Sequence, residues 1–422
     1  MSSASTQIQQ GCGYPQSHAT ARPIRDELAA VAANRARCSS IYLDTVEGMS
    51  NNFPYTEGED HHQGLARSHK LSDGSVYFFL THSEVGEGEH GSLSSYRFGG
   101  PTDADHVLIT HPLTVSPMQQ IAMLNERHPS DIVFLPDVNR LDSGYVFLTL
   151  EFDRHVVTCY RWSPAAGLVP LGDIPQGFPA EGPNFLFLDR VDDVFYLGIA
   201  SDHWGWGQLL GARDRDLFPK CAQGSLDLAA FRPVGMFPFP VSGASQVKLI
   251  RDGKGAWYLL GFRSDPGDDP HGTDFVDVYG VRFNPFAITP LLASVHVTFK
   301  PGDTGFASTG THHVEPSGRL LLTSSYRWAK DEGPGDSSYV SRVDECPSTL
   351  PIPHGRRVRG MSAHSPCGIV CINIQAGRLH VEPTAGLMEC RCGGRVGPAR
   401  ARRACRRLDG SATGEAPQSG IV

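Results

Sequence analysis

Five positions in the chain carry side chains that can transfer protons or bind metal ions or small molecules, and each opens a similar stretch of sequence. They are His62, Asp131, Asn184, Gln246 and His313, and their spacings are 69, 53, 62 and 67 residues. Imidazole and carboxylate groups are common proton donors and acceptors in enzymes, and both bind metals. Strand propensity does not explain polar groups at five such points, so these residues are the first candidates for a functional site.

The stretch that follows each position is built of two strand-like runs joined by a turn. In the first, polar residues from position 61 lead through a Ser-Asp-Gly-Ser turn at 72–75 into the apolar run 76–82. β-Branched and aromatic runs broken by Gly, Pro and Asp indicate strands. A repeat of this length with about four strands is typical of one propeller blade. The sequence therefore predicts an all-β fold, a five-bladed β-propeller over residues 38–347.

The predicted ring needs one strand that the fifth repeat does not supply. After that repeat the chain has three clear strands, the last around 338–345, whereas 38–45 is a spare strand. Pairing these two would remove two open sheet edges and bring Cys38 close to Cys346. A disulfide there is geometrically plausible, but no export signal is visible, so two unbonded thiols are the expected state. Residues 1–37 should form an N-terminal segment with a short amphipathic helix over 23–37.

The formal charge of −8 is unevenly divided along the chain. Residues 349–422 carry 11 Arg, no Lys and 4 acids, a net +7 that leaves −15 for the rest. We expect the basic, cysteine-rich tail at 348–422 to be mostly disordered. The acidic body argues against a nucleic-acid partner, and the lack of an apolar run of about eighteen residues argues against a membrane span. We expect the protein to be a monomer. With no signal peptide visible, we also expect it to be cytoplasmic or non-classically exported.

The repeat also predicts where the polar residues meet. In a propeller the inner strand of each blade lines the central channel, and its start opens on the same face as the end of the second strand. Polar side chains that converge at such a mouth are the default hypothesis for a binding site, although polar residues also cap water-filled channels. The predicted substrate-binding residues are Asn184, Gln246, His203, Trp204, Trp206, Tyr326 and Arg327.

Three stretches resemble those of a known group, the five-bladed glycoside hydrolases of the arabinanase and β-xylosidase type. One is 200–207 with 212–218, which is similar to the hairpin that follows the third-blade motif of that group. The run 181–184, Glu-Gly-Pro-Asn before a Tyr-containing strand, is similar to the third-blade motif of that group. The run 310–313, Gly-Thr-His-His, is similar to its fifth-blade motif. The resemblance implies an inverting hydrolase, in which two carboxyl groups about 6.5–9.5 Å apart leave room for the attacking water. The implied substrate is a carbohydrate or a glycosylated small molecule.

The same resemblance implies roles for individual residues. Glu181 would be the general acid, Asp131 the acid that orients the water, and Asp60 the general base. Where the family has Asp-Pro, this chain has Asp60 followed by His-His-Gln. The resemblance also implies a central divalent cation beside His313 or His312. Calcium would suit that position if amide and water oxygens complete its ligands.

Two other functions stay open on the sequence. His62, His313 and Asp131 form a two-His, one-carboxylate set of the type that binds a transition metal with open positions. Such a site would serve a hydrolase, lyase or oxygenase acting on a small organic molecule. The aromatic residues alternatively suit a non-catalytic carbohydrate-binding propeller. The five mouth positions differ from blade to blade, which favours one asymmetric central site, so an enzyme is ranked first.

Overall fold

The computed structural model describes most of the body and little of the tail. The described residues are 17–34, 38–44, 61–83, 91–99, 113–115, 119–123, 128–137, 140, 142–151, 156–177, 183–219, 226–265, 273–297, 305–325, 330–331, 339–348, 373–375 and 378–380. Contacts between Cα atoms divide the chain into one unit over Met1–Pro351 and a second over Ile352–Val422. The two units are described separately.

Among its described residues, the first unit contains two short α-helices, one 3₁₀ turn and five sheets. The helices are α1 (Ile24–Ala33) and α2 (Asp214–Leu217), and the 3₁₀ turn is Leu228–Ala230. The strands of the first two blades and the closing strands are β1 (Ser39–Asp44), β2 (His61–Arg67), β3 (Val76–Ser83), β4 (Gly91–Phe98), β5 (Leu113–Val115), β6 (Gln119–Met123), β7 (His128–Pro136), β8 (Gly144–Glu151), β9 (Val156–Ser163) and β10 (Gly167–Pro175). The remaining strands are β11 (Phe185–Val191), β12 (Val194–Ser201), β13 (Trp206–Arg213), β14 (Arg232–Pro238), β15 (Gln246–Arg251), β16 (Trp257–Asp265), β17 (Thr273–Phe283), β18 (Phe286–His296), β19 (Gly305–Val314), β20 (Leu320–Ser325), β21 (Lys330–Asp331) and β22 (Tyr339–Pro347).

The sheets form the predicted five-bladed β-propeller. Four blades have four antiparallel strands each, in the orders β2-β3-β4-β6, β7-β8-β9-β10, β11-β12-β13-β14 and β15-β16-β17-β18. The inner strands β2, β7, β11, β15 and β19 contact one another in sequence, and β19 returns to contact β2. The apolar core lies between adjacent blades. Phe147 of the second blade, for example, shares one buried cluster with Phe195 of the third. Strands buried on both faces are continuously apolar, which explains the strength of the repeat in the sequence.

The fifth blade is closed by the N-terminal strand, as the sequence predicts. β1 pairs antiparallel with β22, with Ser39 opposite Glu345. The expectation of two unbonded thiols is wrong, because Cys38 and Cys346 form a disulfide just beyond that pair. The sequence gives no sign of one further strand. β5, in the chain between β4 and β6 of the first blade, crosses to pair parallel with β1, so β1 has a partner on each side.

The N-terminal segment packs on the last two blades. α1 is shorter than the predicted 23–37, and its Ile24, Leu28 and Val31 lie buried in a cluster with Leu260 and Leu322. Just before the helix, the backbone amide of residue 20 donates to the carbonyl of residue 251, and that of residue 21 donates to the carbonyl of residue 318. These bonds hold residues 17–21 against blades four and five.

The second unit contributes one described element, the strand pair β23 (Asn373–Gln375) and β24 (Arg378–His380). It overlaps the end of the strand-like run 368–374 of the sequence. The predicted disorder of the tail and its cysteines lie outside the described residues. No helix in the described part of the chain is long and apolar enough to cross a membrane.

Candidate functional site

Two side chains at the centre of the ring accept hydrogen bonds from backbone amides of all five inner strands. The Asp131 carboxylate accepts from the amides of Ile132 at 2.7 Å, Leu186 at 3.0 Å and Val247 at 3.4 Å. The Gln246 carbonyl oxygen accepts from the remaining two blades, through the amides of residue 310 at 2.8 Å and residue 65 at 3.3 Å. An inner strand has no neighbouring strand on its channel side, so these amides need other acceptors.

Lys248 completes this arrangement, which we call the central plug (Asp131, Gln246 and Lys248). Its ammonium donates to Asp131 Oδ1 and, at 3.0 Å, to the carbonyl of Ile132, while Gln246 Nε2 donates to Asp131 Oδ1 at 2.6 Å. Burial raises the pKa of Asp131 and lowers the pKa of Lys248, and the charge of each partner opposes the shift of the other. A buried ion pair is tolerated where its remaining hydrogen-bonding groups are also satisfied, and the strand amides do this for Asp131.

The plug changes how two predicted site residues are understood. The exposed fractions of Asp131 and Gln246 are both 0%. The carboxylate oxygens of Asp131 are occupied by three amides, one side-chain amide and one ammonium. Sequence reasoning missed Lys248, although a charged residue two positions after Gln246 in an apolar strand lies on the same strand face. That alternation is the signal that could have found it.

On the side where the inner strands begin, the third blade presents a hydrogen-bonded polar pair, and two exposed indoles follow it in the chain. Asn184 Nδ2 donates to Asp202 Oδ1 at 2.6 Å, and the amide of Asp202 donates to Asn184 Oδ1 at 3.3 Å. His203 Nε2 lies 3.9 Å from Asp202 Oδ1. Trp204 and Trp206 follow in the same turn and strand, with exposed fractions of 42% and 52%. Asn184 and the β12–β13 turn lie at the same end of the blade, because Phe185 at the start of β11 pairs with Ala200 near the end of β12.

Neighbouring blades add imidazole and amide groups to the same side. Gln63 Nε2 and His128 Nε2 lie 2.9 Å apart, linking the first and second blades. Ser130 Oγ donates to the carbonyl of Asn184 at 3.1 Å, linking the second and third. His62 is buried with its ring edge against His82, their centroids 5.8 Å apart. The start of the channel is therefore polar in three consecutive blades, as predicted.

The five positions taken as equivalent in the sequence are not equivalent in the ring. We call the five backbone amides that donate to Asp131 or Gln246 the plug amides. Two of them belong to the residues directly after Asp131 and Gln246. In the other blades they belong to the residues directly after Gly64, Phe185 and Thr309. β-Bulges in β2, β7 and β19 shift the register. Position 62 thus precedes the plug level, and position 313 comes after it.

The predicted metal set of His62, His313 and Asp131 is therefore not brought together. Among the described residues, no group of three or more His, Cys, Asp or Glu side chains is arranged to hold a metal ion. His312 and His313 line a cavity beyond the plug, whereas His62 is absent from that lining. His62, His313 and Asp131 therefore do not share a position for a transition metal, and the divalent cation implied beside His312 or His313 stays a prediction.

Four other predicted site residues lie outside the described part of the chain. They are Asp60, Glu181, Tyr326 and Arg327. The chain places Asp60 directly before β2, and Glu181 three residues before Asn184. Their roles as general base, general acid and substrate-binding residues stay predictions.

The chain has been compared with known proteins. No protein-family model matches it, and no curated protein matches it. Among solved structures, it is similar to the GH43_1 enzyme from Xanthomonas citri complexed with xylose, with 13% identity, 76% of this chain and 92% of that chain covered, and a TM-score of 0.39.

Two further structures show a similar degree of likeness. A putative exo-beta-1,3-galactanase from Bifidobacterium bifidum is 11% identical, with 68% and 88% of the two chains covered and a TM-score of 0.40. A family 117 glycoside hydrolase from the marine bacterium Zobellia galactanivorans is 12% identical, with 74% and 92% covered and a TM-score of 0.40.

Proposed function

We propose that the chain binds a carbohydrate at the mouth where the inner strands begin and hydrolyses a glycosidic bond there. The observation that carries the proposal is the exposed pair Trp204 and Trp206, which follow Asp202 in the chain at the end of the blade where Asn184 bonds Asp202. Indole rings stack on the apolar faces of sugars, while fixed amide and carboxylate groups bond hydroxyls and set orientation. Large exposed aromatic side chains next to a polar pair favour such a ligand over a purely apolar one.

The chemistry of the proposed reaction falls to residues that flank this mouth. Glu181, close to Asn184 in the chain, would protonate the glycosidic oxygen as general acid, and Asp60 would activate a water as general base. Asp131 would act indirectly, because its carboxylate is already hydrogen-bonded within the plug. By accepting amides of both strands, it would fix the start of β7 relative to the start of β11. In this proposal Asp131 is a positioning residue rather than one that touches the sugar.

The test is a screen of aryl glycosides with the full chain, followed by Glu181→Gln on every substrate that is turned over. We expect Glu181→Gln to lower kcat/KM at least a hundredfold with an unchanged Tm, because general acid catalysis contributes about 10²–10⁴-fold. Asp216→Asn, an exposed acid in α2, is the matched control and should leave turnover unchanged. Equal turnover by Glu181→Gln and the control would end the hydrolase proposal.

One observation favours a second function, carbohydrate binding without hydrolysis. The carboxylate that the resemblance places at the reaction centre, Asp131, is fully engaged with protein groups. A binding protein would need only Trp204, Trp206 and the polar pair. If arabino- or xylo-oligosaccharides bind, Trp206→Ala weakens that binding about tenfold, and no aryl glycoside is cleaved, the binding function replaces the catalytic one.

A further inference from the structure

The channel continues beyond the central plug as a separate cavity of about 620 Å³. The backbone amides bound by the plug belong to residues 65, 132, 186, 247 and 310. The first residues of these strands that line the cavity are 66, 132, 187, 248 and 311, so each is the amide-bearing residue itself or the one after it. The cavity therefore lies on the side of the plug opposite the mouth with the two tryptophans. Ligand pockets of proteins occupy about 300–1,000 Å³, so this volume suits a small organic molecule.

Most of the wall is apolar and rigid. Val133, Phe187, Leu249 and Val314 line it from four different blades. Each of these side chains belongs to an inner strand, where pairing with the second strand of the blade fixes the backbone. A preformed apolar wall favours a ligand that carries a ring or an aliphatic chain.

The cations in the wall already have acidic partners. Three of them form ion pairs, Arg67 with Glu345, Arg190 with Asp214 and Lys248 with Asp131. The positive charge of the fourth, Arg251, opposes the rise in the pKa of the nearby Asp189. The remaining acid of the lining, Asp137, lies 3.5 Å from the hydroxyl of Ser143 at the other end of the same turn. The four cations of the wall thus have acidic groups close by, and a charged ligand would enter the site at a desolvation cost. The cavity is therefore built for a neutral molecule.

Two neutral imidazoles supply hydrogen-bonding groups. Burial and the nearby Lys248 lower the pKa of His312 to about 3, and burial lowers the pKa of His313 well below its usual value. The buried Nδ1 of His312 has no hydrogen-bond partner among the described residues. A buried polar atom without a partner costs free energy, and a ligand hydroxyl or carbonyl would satisfy it.

The N-terminal segment lies at the outer end of the cavity. Ser17 Oγ donates to Asp189 Oδ1 at 2.5 Å, and the guanidinium of Arg251 donates to the carbonyl of Ser17 at 3.3 Å. Ser17 and His18 both line the cavity. The space is therefore bounded by the plug at one end and by this segment at the other.

We propose that this cavity is a second binding site, for a neutral small organic molecule with an apolar ring or chain and a hydroxyl or carbonyl oxygen that bonds His312. The site is independent of the carbohydrate mouth, because the plug separates the two. Its occupant would contact inner strands of all five blades.

The test compares naphthol, which is neutral at pH 7, with naphthoate, which has the same ring and a negative charge, by titration calorimetry with the full chain. We expect naphthol to bind at one per chain with a Kd at least tenfold lower than that of naphthoate. His312→Ala should weaken naphthol about tenfold, and Val133→Trp, which fills the cavity, should abolish its binding. Trp206→Ala, at the opposite mouth, is the control and should leave the Kd for naphthol unchanged.

Several results would overturn the proposal whatever the outcome for glycosides. They are no naphthol binding below about 1 mM, equal binding of naphthol and naphthoate, or loss of binding in Trp206→Ala alone. If His312→Ala does not fold, a crystal of the unaltered protein soaked with bromonaphthol decides. Its anomalous bromine peak must lie among Val133, Phe187 and Leu249, and a peak elsewhere rejects the site.

Discussion

The two ends of the channel use the same kinds of residue in opposite ways. At the mouth, Trp204 and Trp206 are exposed and Asn184 pairs with Asp202 in a half-buried position. Beyond the plug, aromatic and aliphatic side chains line the cavity, and the ammonium of Lys248 is paired with Asp131. Polar residues at the mouth are available to a ligand, whereas polar residues at the plug hold the blades together. The residue type alone does not distinguish a polar residue that binds a ligand from one that holds the blades together.

This difference yields a rule for substitutions. Changes at the plug level should lower the free energy of unfolding, because each plug group serves several strands. Changes at the mouth should alter ligand binding with little effect on stability, since surface substitutions usually change it by less than about 0.5 kcal/mol. Three predictions test the plug and the cavity, in order of expected size.

The largest effect is expected for Asp131→Asn. The substitution leaves the Lys248 ammonium buried without its counter-charge, and breaking a buried ion pair costs about 3–5 kcal/mol. Urea unfolding should show the loss as a lower midpoint with an unchanged m-value. The exposed Asp216→Asn is the control, and a loss no larger than that of the control would mean that Asp131 belongs functionally with the mouth.

The next effect concerns the packing of the first blade at the plug level. A Cβ on Gly64 would lie 2.2 Å from the carbonyl oxygen of Ser130 and 2.6 Å from Thr81 Oγ1. Since a backbone oxygen cannot move aside freely, we expect Gly64→Ala to cost about 3 kcal/mol, the upper end of the usual range for overpacking. Gly235→Ala, where a Cβ meets nothing within 4 Å, is the matched control. Equal midpoints in urea for the two variants would contradict the tight fit.

The smallest effect is a pH dependence at the far end of the cavity. Burial raises the pKa of Asp189 to about 6, although bonds from Ser17 and Arg190 oppose the shift. The folded chain then holds this proton more tightly than the unfolded chain, so the stabilisation is complete below about pH 4. It is lost as the pH rises through about 6.

Asp189→Asn should therefore remove roughly 2 kcal/mol of the difference in unfolding free energy between pH 4 and pH 7. Urea unfolding at both pH values measures this difference, and Asp216→Asn should retain it. If Asp189→Asn keeps the full pH dependence, the carboxyl of Asp189 ionises as freely in the folded chain as in the unfolded one.

The fold was largely predictable, because five apolar strand pairs must be buried between blades and leave a strong period in the sequence. The closing strand was also predictable, since 38–45 was a strand without a partner. β5 was not, because three residues, Leu113–Val115, that join a distant blade carry no pattern of their own. The state of Cys38 was missed for a different reason. The absence of an export signal outweighed a geometry that placed Cys346 beside it.

The site was less predictable because small irregularities decide it. His62 precedes the plug amide of its strand by three residues and His313 follows that of its strand by three, so the two imidazoles lie on opposite sides of the plug. Asp131 and Gln246 were found as polar residues in an apolar context, but their role depends on amides from distant parts of the chain. The position of Asn184 and Trp204 at the same end of the third blade was predictable, because the end of β12 pairs with the start of β11.

The pairing of β1 between β22 and β5 also sets an order of events during synthesis. β1 leaves the ribosome about 300 residues before β22, which is roughly 15–60 s at 5–20 residues per second. Its parallel partner β5 emerges after only about 70 residues. During that interval β5 can cover one edge of the waiting strand, and an edge so covered is protected from pairing with another chain. Once β1 has paired with β5, only its other edge stays open until β22 has been synthesised.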